Sequence, residues 1–259
     1  MKVWRGLLAV ALLLCTLLCV ASITAAADTG THTNHPICGA THKDIGDHKG
    51  TCNAVTWTAW DGKSNITYDS NNTAYVYLTG NVEWTSVFTL EGKTLYLCLN
   101  GYSITRTTDS VQRNIFDAVI HIHEKAQLIL CDCKGSGKIT HATDKGGRGI
   151  RIGTSSSGGT FTMFGGEISG NRVTNKVGDG AGVEMQQSTF TMYGGKITDN
   201  HVINGSNNEG GGVSVHTSST FTMYGGEISN NTSAGDGGGV MSVGSNTNLY
   251  GGTISNNTA

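Results

Sequence analysis

TFTMYGGEISNN, Thr220–Asn231, is the stretch whose reading decides the fold of this chain. It recurs as TFTMFGGEISGN at Thr160–Asn171, as TFTMYGGKITDN at Thr189–Asn200 and, degraded, as TNLYGGTISNN at Thr247–Asn257. The copies align on Gly165, Gly194, Gly225 and Gly251. Steps of this size, roughly 30 residues, fall within the range of about 20–50 residues that marks solenoids, propellers or arrays. The phrase carries no His, no Cys and little charge, so it reads as a structural rung, with function carried elsewhere.

The repeat extends backward in disguise. LYLCLNG from Leu95 and LILCDCKG from Leu128 occupy the place of the strand at Phe161, each one repeat ahead of the next. A short element centred on Ile104, Ile139, Ile168, Ile197, Ile228 or Ile254 follows each, and a third precedes it at Ile120, Ile150, Val183, Val213 and Val240. Three short strand signals separated by Gly- and Asn-rich turns fit one coil of a parallel β-helix. A propeller blade would want four strands and a longer repeat. Within TFTMY the alternation puts Phe and Met on one side of a strand and Thr and Tyr on the other. Two further columns follow. Lys138, Glu167, Lys196 and Glu227 alternate in sign, as neighbours about 4.8 Å apart should. Asn171, Asn200, Asn231 and Asn257 stand at the turn after the Ile strand, where Asn tolerates left-handed backbone and stacked amides can bond one another.

Composition agrees. The chain has 38 Gly but 1 Pro, which with no three-residue period excludes collagen. Hydrophobic residues at 37% and a net charge of −2 exclude a disordered chain and give no basic patch for nucleic acid. The segment Met1–Ala27 reads as a secretory signal peptide: Lys2 and Arg5, the apolar run LLAVALLLCTLLCVA, then Ala25 and Ala27 before a cut near Asp28. An uncleaved anchor is the alternative, although the run is short for a span. The expected organisation is therefore a signal peptide at 1–27, a Cys/His-rich element and cap at 28–71, and an all-β, right-handed parallel β-helix at 72–259, with three strands per coil and about six coils. The membrane enters only through the signal peptide. The chain ends at NNTA directly after a repeat. Open coil ends invite pairing, so a longer chain or end-to-end self-association is expected.

The phrases FTMYGGEISNN and GGGV resemble the repeats of secreted bacterial β-helix proteins of the pectin-lyase-like fold, and those of chlamydial polymorphic outer-membrane proteins. The order of W-x-x-W, LCLNG, LCDC and GGxISxN is most similar to large surface proteins of anaerobic gut Firmicutes. That resemblance implies a secreted or cell-surface scaffold, adhesin-like, binding glycan or a cell-surface protein. It also implies an enzymatic alternative, a polysaccharide lyase or glycoside hydrolase. Polygalacturonases of that fold use paired Asp with G-H-G and R-I-K. Here Asp-Asp and G-H-G are missing and Arg151–Gly153 reads RIG. Pectate lyases use an acidic calcium cluster with an Arg base; the nearest echo is the column Asp179, Glu209, Asp236, with Arg148 and Arg151 one coil away. Three carboxylates at a turn offer calcium three oxygens where about 6–8 are wanted, and G-D-G is also ordinary turn chemistry. No catalytic residue is assigned.

Chemistry-bearing residues crowd HTNHPICGATHKDIGDHKGTC, with His32, His35, Cys38, His42, His48 and Cys52. Two readings fit. Cys and His in such density suit zinc, which would make this a metal-dependent recognition module on a passive stalk. Equally, a Cys38–Cys52 disulfide with exposed His suits an exported chain. Cys98 and Cys131 hold equivalent places and should be stacked outward neighbours, with Cys133 two residues on. His121 and His123 should share the outer side of their strand as a solvated pair. Trp57 and Trp60 are either a sugar-stacking platform or a cover for the first coil. Tyr193 and Tyr224, with Phe164 and Tyr250, form an outward aromatic column, a ligand face or a structural stack.

Overall fold

A computed structural model of the chain describes residues 56–109, 117–174, 179–204 and 210–259. Segment 1–27, expected to be a signal peptide, and most of the expected Cys/His-rich element at 28–71 fall outside them. Among the described residues there is no helix, and every paired strand is parallel to its neighbour. The strands stack into three long sheets of eight, six and seven strands. Each sheet takes one strand from each coil, the definition of a parallel β-helix. It winds right-handed, the hand that parallel connections almost always take. The six-stranded face spans about five full turns.

The three faces can be named for their inward residues. On the Phe face, Thr160–Met163, Thr189–Met192 and Thr220–Met223 pair residue for residue, Phe on Phe and Met on Met. Leu95 and Leu128 continue the Phe column upward, and Leu97 and Leu130 the Met column. Phe161, Phe190 and Phe221 are fully buried, with ring centroids 4.7 and 5.0 Å apart. On the Ile face, Val82, Ile104, Ile139, Ile168, Ile197, Ile228 and Ile254 form one column. On the Val face the inward column runs Phe88, Ile120, Ile150, Val183, Val213, Val240. These columns meet in one continuous interior.

Two details differ from the sequence reading. From residue 172 onward each coil gains a fourth, two-residue strand, Arg172–Val173, His201–Val202 and Thr232–Ser233. Val173 and Val202 there bury against Ala181 in a small cluster of their own, so the corner is long enough to pair. At the other end, Thr58–Trp60 lies ahead of the expected start at 72 yet already pairs with Val76–Leu78 on the Phe face.

The charge column holds: Lys138 Nζ is 2.9 Å from Glu167 Oε1, and Lys196 Nζ is 3.6 Å from Glu227 Oε2. The Asn column is the firmer register pin. Asn171, Asn200 and Asn231 are completely buried. Each donates its side-chain amide to the carboxamide oxygen of the next, Asn171 to Asn200 and Asn200 to Asn231 at 3.0 Å, and Asn231 to Asn257 at 2.9 Å. His141 Nδ1 tops the ladder, 2.9 Å from Asn171 Oδ1. The left-handed backbone sits one residue earlier than expected, at Gly170, Asp199, Asn230 and Asn256. The ladder amides are thereby left to satisfy buried carbonyls, as Asn200 Nδ2 does for Ile168 O at 2.9 Å. In each Gly-Gly pair the two residues have different tasks. At Gly194 a Cβ would lie 2.6 Å from Phe164 O, while Gly195 holds φ +86°.

Asn200→Ala removes two donated bonds inside the wall and the oxygen that receives both the backbone N–H and the side-chain amide of Asn171. It should cost about 3 kcal/mol in urea denaturation, whereas Asn204→Ala, at an exposed amide, should cost close to nothing.

Candidate functional site

The outer side of the Val face is where the repeat breaks down. Its column reads Thr89, His121, Arg151, Glu184, Ser214, Met241, six different residues in register. Around it gathers a buried ion cluster. Arg148, 3% exposed, binds the Asp117 carboxylate through Nη1. Its Nε lies 2.9 Å from Glu184 Oε2 and donates to Asp179 O at 2.6 Å. Arg151 Nη1 reaches the same Glu184 oxygen at 3.0 Å. Glu184 and Asp117 are themselves 3% and 2% exposed, so each buried carboxylate is offset by a guanidinium.

The arrangement argues against three chemistries. Asp179, Glu184 and His216 bring ligand atoms within 4.8 Å of one another, yet two guanidinium groups already occupy Glu184 and would repel a cation. Ser214 Oγ and Asp179 Oδ2 both approach the same His216 nitrogen, Nε2, at 2.9 and 3.4 Å. A nucleophile relay needs the two on opposite ring nitrogens. Glycoside hydrolysis needs two carboxyl groups open to a bond between them, whereas Asp117 and Glu184 are buried and bound by arginines. Of the calcium candidates, Asp179 approaches His216, Asp236 is exposed and Glu209 lies outside the described residues. The zinc set, His32, His35, Cys38, His42, His48 and Cys52, lies wholly outside them.

His121 is a correction. It is fully buried, not solvated, stacked on His123 at 4.4 Å, while His123 meets Glu91 at 3.0 Å. Burial, then the neighbouring His123 and Arg151, lowers the His121 pKa to about 4. The expectation missed this because alternation tells which side of a strand a residue takes, not what covers that side.

The aromatic column resolves into a stack. Phe164–Tyr193, Tyr193–Tyr224 and Tyr224–Tyr250 centroids are 4.9, 5.1 and 5.1 Å apart, with interplanar angles of 16°, 9° and 15°. Ring faces therefore cover one another, and Tyr193 and Tyr224 show edges to solvent. Sugar stacking needs a free face. Trp57 and Trp60 are buried too, 8% and 4% exposed, which favours the covering role over a platform.

Trp60 nevertheless lines a cleft of about 760 Å³. Trp84 and Phe88, half-buried, stack at 5.2 Å along its wall, each within 6.2 Å of Trp60. Tyr68, with Lys93 Nζ 4.4 Å from its ring centroid, closes another side. Lys63, Glu83 and Glu91 supply a charged rim. The lip is preset. Asp61 Oδ1 accepts from the Lys63 and Ser64 amides at 2.9 and 2.7 Å, which lowers its pKa to about 2. Trp84 Nε1 donates to Gly62 O at 2.7 Å, and Gly62 holds φ +74° against Val82. Trp84 and Phe88 escaped the sequence reading because VEW and FTL resemble any two strands; their proximity to Trp60 exists only once the coil closes.

No protein-family model, curated protein or solved structure matches this chain. The fold thus rests on its own repeats and register.

Two outcomes follow. Arg148→Ala leaves the buried Asp117 without its guanidinium and Glu184 with Arg151 alone, and should cost about 3–5 kcal/mol by urea denaturation. His121 and His141 both have pKa values lowered to about 4 from 6.5, chiefly by burial. Folded, they stay neutral; unfolded, they take up a proton below 6.5. Their contribution is complete above pH 6.5 and is lost as pH falls toward 4, by up to about 1.4 kcal/mol per pH unit each. Urea midpoints from pH 7 to 4.5 should show that slope, and His121→Gln should flatten it.

Proposed function

We propose that this chain is a non-catalytic β-helix scaffold, secreted or held at a cell surface, that binds a glycan in the cleft between Trp84, Phe88 and Tyr68. The cleft carries the reading. Its volume falls within the roughly 300–1,000 Å³ of small-ligand sites, and it combines aromatic walls with a few charged groups at the rim. A sugar presents apolar C–H faces to rings and hydroxyls to carboxylates and ammonium groups, the two kinds of surface found there. The basic, apolar and small-residue order of Met1–Ala27 supports export, and the repeats support a pectin-lyase-like type of the kind seen in bacterial surface proteins. Non-catalytic use is supported by the arginine-bound carboxylates on the Val face and by the missing polygalacturonase elements.

A glycan array on the purified chain, followed by calorimetry on the best ligand, tests this. Trp84→Ala should weaken binding by about tenfold or more, and Tyr224→Ala, on the stacked column, should leave it unchanged. Binding indifferent to both Trp84→Ala and Phe88→Ala would sink the cleft as the site. Release of reducing or unsaturated ends from the bound polysaccharide would replace the scaffold reading with an enzymatic one.

A further inference from the structure

Over the first coils the outer side of the Phe face turns apolar. Trp57, Tyr77, Cys98, Ile129 and Cys131 form a buried cluster there, separate from the interior. Cys98 and Cys131 close the neighbouring strands Thr94–Cys98 and Gln127–Cys131 and are partners in register. Cys133 follows in the turn, is exposed, and places its Sγ 3.6 Å from that of Cys98. It also lies 3.5 Å from Asn100 Oδ1, to which the thiol donates.

We propose that Cys98 and Cys133 form a redox pair that closes to a disulfide across adjacent coils when the chain meets a disulfide-bearing oxidant. Three observations carry this. The two sulfurs are already in contact. Exposure of Cys133 gives an oxidant a point of entry. Cys133 lies in a turn, two residues beyond the ladder, where side-chain rotation and small backbone shifts can bring the sulfurs to bonding distance. The register partner Cys131 also hydrogen-bonds the Cys98 thiol, but it is buried and held within the ladder. Paired residues of parallel strands keep their β-carbons near the strand spacing of about 4.8 Å, while a disulfide wants about 3.8 Å. The inference is independent of the glycan cleft.

The chemistry balances as thiol–disulfide exchange. The Cys133 thiolate attacks one sulfur of R–S–S–R and expels R–S⁻. The Cys98 thiol loses its proton and attacks the Cys133 sulfur of the mixed disulfide, expelling the second R–S⁻. Two electrons pass from the cysteine sulfurs to the oxidant, and the two protons end on the released thiols. The hydrogen bond to Cys98, and then burial, raises the Cys133 pKa, so closure should quicken as pH rises. The bond would tie the third strand of the Phe face to the turn after the fourth, beside Trp57, and close a loop that contains Asp117 and His121.

The test uses the full chain, incubated with glutathione disulfide, alkylated after denaturation and digested with trypsin. Peptides 94–106 and 126–134 should appear linked, and fragmentation should place the bond between Cys98 and Cys133. The link should persist in Cys131→Ser and vanish in Cys133→Ser, a change at an exposed position that leaves folding intact. Adding a reductant should lower the thermal midpoint of the oxidised chain by about 5–10 °C, with no drop in Cys133→Ser. A bond through Cys131, a bond from Cys133 to Cys38 or Cys52, or a thiol count that the oxidant leaves unchanged overturns the proposal.

Discussion

Every residue of a parallel β-helix wall sits about one strand spacing, roughly 4.8 Å, from its counterparts in the coils above and below. This stacking constraint governs the rest of the molecule. A residue type survives in the column only if it tolerates a copy of itself, or an opposite charge, at that distance. Phe on Phe, Met on Met and Ile on Ile meet the condition by packing. Lys and Glu meet it by alternating. At the corner after the Ile strand, buried polarity enters as Asn, whose carboxamide both donates and accepts and so bonds a copy of itself. Asp in the same column would set like charges against one another in a dry interior, which is why the acidic residue of TFTMYGGKITDN stands at the exposed turn position and not in the ladder.

The same constraint says where chemistry can be. A self-complementary column is chemically monotonous, so unusual side chains gather where the columns fail. On the Val face, six dissimilar residues in register bring His121, Arg151 and Glu184 into line, and the charges balance through Arg148 and Asp117. On the Phe face, the Tyr/Phe column gives way upward to Cys131, Cys98 and Tyr77. In the first described coil, Trp60, Trp84 and Phe88 shape a cleft. The regular coils hold these three places at fixed distances along the wall and contribute nothing else to them.

Burial also sorts the three places. The ion cluster is closed and paired, which suits a structural tie. The thiols are half-closed, with Cys133 open to solvent and Cys98 beneath it. The cleft is open and lined by rings. Recognition needs access, so the cleft is the place where a ligand is proposed to bind, and the other two places bear on stability.

Most of the wall was legible in the chain as written. Period 2 within TFTM, the repeat spacing, the alternating Lys and Glu and the recurring Asn each report a local or nearest-coil interaction, and such interactions leave a pattern at fixed separation. Three strands per coil, the inward Phe and Met, and the stacked Cys98 and Cys131 follow from those patterns. Other features depend on contacts between residues that share no pattern. The union of Asp117 with Arg148 and Glu184, the covering of His121, the face-to-face use of Tyr193 and Tyr224 and the meeting of Trp60 with Trp84 and Phe88 all required the coil to close. Sequence by itself determined the coil and its register, because a repeat is a local rule applied many times. Only the tertiary structure decided the sites, because each is a single event, made where unlike residues from different coils meet and where what lies above them settles whether water can enter.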